Sequence, residues 1–126
     1  MLKQVLASSV TILLMDAVWL STNFKYHKKL FETVQQSPLE IRILPAVLVY
    51  LLIPLALYYF AIEPSKTRKE VALKGALLGL SMYGLYDLTN LSTLSGWTIE
   101  MALKDTLWGT VLCCIASLAG FYFKSK

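Results

Sequence analysis

An all-α integral membrane bundle of four transmembrane helices is the fold this sequence predicts, and three observations carry that expectation. The chain is 56% hydrophobic and only 16% charged, with a mean hydropathy of +0.58, more apolar than an ordinary soluble mix. Its apolar residues come in long blocks. Four of these blocks approach or exceed the ~20 residues that a helix needs to cross a bilayer. They leave no room for a soluble domain, so residues 1–126 read as a single four-helix transmembrane domain without linkers.

The first span is placed at Val5 to Phe24. Lys3 and the apolar run after it imitate the start of a signal peptide, but the run is too long and Asp16 interrupts it, so the segment reads as a retained helix. The stretch YHKKLFETV that follows reads as a short amphipathic helix lying at the interface, with His27, the single histidine, as a surface residue rather than a ligand.

The second span is placed at Leu39 to Ile62. Ser37, Pro38 and Glu40 form a capping-box pattern with proline at the first helical position, which predicts a helix start there. Pro54 predicts a kink, and Pro64 a stop. Tyr50, Tyr58, Tyr59 and, in the fourth span, Tyr122 read as core or interface-belt residues.

Thr67 and Glu70 repeat the capping box and start the third span, Val71 to Leu94. Gly75 and Gly79 form a G-x-x-x-G, the pattern of close helix packing, against the same or another copy of the chain. Ser95, Gly96 and Trp97 allow only a tight turn into the fourth span, Thr98 to Phe123, so these two helices form a hairpin. Glu100 sits in the first turn, where its charge suits the helix dipole, four residues before a pairing partner in Lys104. Cys113 and Cys114 are adjacent, which does not support a disulfide framework; they read as buried small apolar residues.

Basic residues give the orientation. With both termini cytoplasmic, Lys3, Lys66, Arg68, Lys69, Lys74, Lys124 and Lys126 lie inside, against Lys25, Lys28, Lys29, Arg42 and Lys104 outside. The formal net charge of +4 fits contact with anionic lipid. No zinc motif or base-stacking basic patch points to nucleic acid.

Three aspartates interrupt the apolar blocks: Asp16, Asp87 and Asp105. A carboxylate at the bilayer centre costs ~2.5–3.5 kcal/mol on insertion scales, so such residues face a protein interior or water. Asp87 and Asp105 each lie nine positions from Gly96, and Asp16 lies eight before Phe24, which predicts one shared layer. Helical spacing puts Trp19 and Asn23 on the stripe of Asp16, Tyr83 and Asn90 on that of Asp87, and Trp108 and Gly109 on the face of Asp105. Asp16-x-x-Trp19 and Asp105-x-x-Trp108 share a D-x-x-W pattern on antiparallel helices, which is either an inverted repeat or chance similarity.

At D-x-x-W-L in the first span, Y-D-L-T-N-L-x-T-L in the third and W-x(7)-D-x-x-W-G in the fourth, the chain resembles a family of small predicted membrane proteins, domain of unknown function 2177. The resemblance covers essentially the whole chain. Thr98 stands where members often carry proline after the tryptophan, which bears on the geometry of the turn. The resemblance implies an integral membrane fold of about four helices and supplies neither substrate nor reaction.

Three like charges in one low-dielectric layer cannot all ionise without a counter-ion. One reading is therefore a proton- or cation-coupled transporter or channel subunit. Asp16, Asp87, Asp105 and Asn90 would bind the proton or cation, supported by Trp19, Asn23, Tyr83, Tyr86, Thr89, Trp108 and Gly109. Four helices are thin for a complete pathway, so that reading expects a homo-oligomer, and it needs no cofactor or resident metal. A second reading is an intramembrane enzyme acting on a lipid or isoprenoid substrate, a third a non-catalytic assembly subunit. Protonated aspartates that simply hydrogen-bond the bundle together satisfy the same pattern.

Overall fold

The computed structural model describes residues 1–124. Lys126, one of the basic residues used for orientation, lies outside the described residues. Four helices run in chain order: α1, Leu2–Gln35; α2, Ile43–Leu57, continued by a π-helical turn at Tyr58–Ile62; α3, Arg68–Thr93; and α4, Ile99–Tyr122. Three of them, α1, α2 with its π-turn, and α4, are long and apolar enough to cross a membrane. α3 is not among them, so spanning by all four is narrower than the fold establishes. Lys74, Asp87 and the four tyrosine and serine positions Ser81, Tyr83, Tyr86 and Ser92 dilute its apolar content.

α1 differs most from expectation. No separate interfacial helix follows the first span; α1 continues for 34 residues, ~51 Å at 1.5 Å per residue. Tyr26, Leu30, Phe31 and Val34, spaced for one helical face, pack on Leu91, Trp97 and Met101 at the α3–α4 hairpin. The apolar face is thus covered by protein rather than lipid. His27 is accordingly buried, not on the surface: its ring meets Trp19, Tyr26 and Phe31, and Nδ1 lies 2.9 Å from the Asn23 carbonyl.

The capping box at Ser37 does not form either. The Glu32 carboxylate accepts from the Leu39 N–H at 2.9 Å, and the Gln35 amide donates to the Ser37 and Pro38 carbonyls at 3.1 and 2.8 Å. Side chains of α1 hold this segment as a loop, and α2 begins only after Arg42. Pro54 lies inside α2 as expected, and the π-turn follows four residues later.

The second hairpin follows its sequence signals. Thr67 caps α3 by accepting from the Glu70 N–H at 3.1 Å, and Thr98 caps α4 by accepting from the Met101 N–H at 3.0 Å. Threonine in place of proline after Trp97 is therefore an N-cap. α3 and α4 then approach very closely. A Cβ on Gly79 would collide with the Gly109 carbonyl, and one on Gly75 with Ser117. The G-x-x-x-G is used inside the chain.

One end of the bundle carries the start of α1, the end of α4 and the α2–α3 loop; the other carries the α3–α4 turn. At the terminal end, Lys124 Nζ donates to the carbonyls of Ile62, Glu63 and Ser65 at 3.2, 2.5 and 2.7 Å, closing the end of the π-turn. Between the ends, Ile12, Leu57, Leu112, Cys113 and Ala116 form a core with no exposed surface.

Candidate functional site

The two buried aspartates, Asp16 and Asp87, each centre a polar node in the hairpin half of the bundle. Asp16 projects from α1 between α2 and α4 and is 8% exposed. The Tyr50 hydroxyl donates to its Oδ2 at 2.9 Å, and Trp108 Nε1 donates to its Oδ1 at 2.9 Å. Each carboxylate oxygen has one donor. Trp108 also stacks on Trp19, with centroids 4.6 Å apart and planes 8° from parallel. A single acidic side chain thus ties three helices together.

The second node is built differently. Asp87 projects from α3 toward α4 and has no exposed surface, yet neither carboxylate oxygen has a hydrogen-bond partner. Asp105, Thr106 and Trp97 face it. Trp97 Nε1 is likewise buried without a partner. Tyr86 packs edge-on to the Trp97 ring at 5.9 Å, with Asn90 beside it. Lys104, next in sequence to Asp105, is turned away: it pairs with Glu100 at 3.3 Å and lies 4.9 Å from the centre of the Tyr26 ring. That is the only ion pair among the described residues.

Depth separates the nodes. Asp16 meets α4 at Trp108, whereas Asp87 faces Asp105, three residues or ~4.5 Å nearer the hairpin end. Tyr83 lies between them, within electrostatic reach of Asp16, Tyr50 and Asp105, its ring resting where a Cβ on Gly109 would have to go. Asn23 and Thr89 do not join either node. The Asn23 amide donates to the Trp19 carbonyl within α1 at 2.9 Å, and Thr89 is exposed.

The two D-x-x-W segments lie antiparallel, with their tryptophans stacked. Asp16 takes the indole N–H of Trp108, but Trp19 Nε1, the equivalent donor, is buried without a partner. Only one half of the exchange is made.

Three participants escape the sequence reading: Tyr50, Trp97 and Thr106. Tyr50 lies eight residues after Arg42, as Asp16 lies eight before Phe24, so depth counting along the second span could have found it. Trp97 reads as a turn residue, and nothing in its local pattern signals that its side chain folds back beside Asp87. No group of three or more metal-ligating His, Cys, Asp or Glu side chains occurs among the described residues.

Long apolar helices around buried carboxyl nodes define a multi-pass helical membrane protein. The chain belongs to the family described as predicted membrane protein (DUF2177), which matches residues 1–122. No curated protein and no solved structure matches it.

Proposed function

We propose that the protein exchanges a proton at the Asp87–Asp105 pair within the membrane, as part of a proton- or cation-coupled transport process. The carrying observation is Asp87: fully buried, facing a second carboxyl group, with both oxygens unpartnered. Two neighbouring carboxyl groups, Asp87 fully buried and Asp105 partly so, resist ionising together without a cation, and Lys104 is committed to Glu100. A proton shared by the pair resolves that conflict, and its loss or replacement by a cation is the chemistry such a site performs.

On this reading α3 crosses the membrane with α4, because the two helices are in contact from Gly75 against Ser117 to Gly84 against Thr106. The pair then lies toward one face of the bilayer, with Tyr86, Thr89 and Asn90 leading outward along α3. In the other direction Ile12, Leu57, Leu112 and Cys113 seal the bundle. That asymmetry favours a site loaded from one side over a continuous channel. Passage across requires repacking of this seal or a second copy of the chain. Gly75 and Gly79 both face α4 of the same chain, so they lend no support to the expected homo-oligomer.

Proteoliposomes under an imposed pH gradient test the proposal. Internal pH should respond in the wild type and not in Asp87→Asn, which keeps size and polarity but cannot ionise. Equal proton flux in the two would overturn it.

A further inference from the structure

We propose a binding site for one anionic phospholipid at the terminal end of the bundle, in the groove between the start of α3 and the end of α4. It is independent of the aspartate pair. The groove encloses about 1070 Å³. Lys66, Thr67 and Arg68 form its rim, Ile115 and Ala119 its floor, and Tyr122 part of its edge.

Lys66, Arg68 and Lys124 line the groove, with no acidic residue among its lining residues. The two nearby glutamates point their carboxylates elsewhere: that of Glu63 accepts the Tyr58 hydroxyl at 3.1 Å, and that of Glu70 accepts the Lys66 backbone N–H at 3.0 Å. Lys124 is held by three carbonyls, which leaves Lys66 and Arg68 to meet an anion.

The floor gives the second half of the ligand. Ile115 is 41% exposed and Tyr122 78% exposed, and the seven-residue step from one to the other extends ~10 Å along α4, the reach of the first part of an acyl chain. Lys66 and Arg68 belong, with Lys69 and Glu70, to the charged stretch that ends where α3 turns apolar at Val71, so the rim stands where headgroups lie and the floor where chains begin. Basic pockets between membrane helices hold anionic lipid headgroups in this manner. A small soluble phosphate would use the rim and leave the apolar floor without a purpose.

The test is lipid retention by the full chain in nanodiscs of dioleoylphosphatidylcholine with a minor fraction of dioleoylphosphatidylglycerol, read by native mass spectrometry. The wild type should retain phosphatidylglycerol over phosphatidylcholine. Lys66→Ala/Arg68→Ala should reduce that preference about tenfold or more, each basic side chain near the headgroup being worth about fivefold. Ala119→Trp, which fills the floor and keeps both cations, should also release the lipid. Lys25→Ala/Lys28→Ala, which removes equal charge at the opposite end, should change nothing. Equal retention of the two lipids by the wild type, an unchanged preference in Lys66→Ala/Arg68→Ala, or displacement by soluble glycerol phosphate would each overturn the assignment.

Discussion

Asp16 and Asp87 are the same residue type, both more than nine-tenths buried and about one helical turn apart in depth, yet their surroundings are opposites. Asp16 has a donor on each oxygen, from α2 and from α4. Asp87 has none, and it faces another carboxyl group. A buried acid with its donors in place adds to stability. One without them detracts from it, and on the proposed function it persists because its ionisation is used. Burial alone therefore does not separate the two aspartates; the inventory of donors does.

The largest expected effect lies at the saturated node. Asp16→Ala removes two hydrogen bonds and strands the Tyr50 hydroxyl and the Trp108 indole, which should cost about 2–4 kcal/mol of unfolding free energy. Denaturant titration in micelles checks it. A loss well under 1 kcal/mol would erase the contrast, because Asp16 would then be no more integral to the fold than Asp87.

Asp87→Asn should behave in the reverse sense. The Asn amide can donate to Asp105 in place of the shared proton, so stability should stay within about 0.5 kcal/mol of the wild type or rise, while proton flux in vesicles disappears. A destabilisation comparable to that of Asp16→Ala would make both aspartates structural.

The stacked tryptophans offer a finer test. Trp108→Phe keeps an aromatic ring against Trp19 but deletes the donor to Asp16, and should cost about 1 kcal/mol. Trp19→Phe makes the same chemical change where the indole N–H has no partner, and should cost less. Equal losses would show that the rings, rather than the hydrogen bond, account for the effect.

How much of this could be read from the sequence depended on whether local signals had competitors. The α3–α4 hairpin was legible because the Thr67 capping box, the tight turn and the apolar period agree there, and the placements at Val71 to Leu94 and Thr98 to Phe123 lie within a few residues of α3 and α4; Thr98 read only as a departure from proline, and its capping of α4 was not foreseen. The Ser37 box carried an equally good pattern and failed because Glu32 and Gln35 of α1 take its backbone groups first. Tyr26, Leu30, Phe31 and Val34 were visible as one helical face, but the pattern does not say whether lipid or the Trp97 turn covers it. At the nodes, depth counting placed Asp87 level with Asp105 and left Asp16 one turn off, since α1 packs against α4 in a register no hairpin fixes. Trp97 lay beyond reach of local patterns because its role arises only when distant segments meet.

The central claim is that Asp87 and Asp105 share an exchangeable proton while Asp16 does not. Infrared difference spectroscopy of the reconstituted protein, stepped in pH, reads the carbonyl stretch of protonated carboxyl groups directly. The account predicts a buried carboxylic-acid band that titrates, shifts on deuteration, disappears in Asp87→Asn and persists in Asp16→Asn. A band abolished by Asp16→Asn and untouched by Asp87→Asn, or no buried acid at any pH, would contradict it.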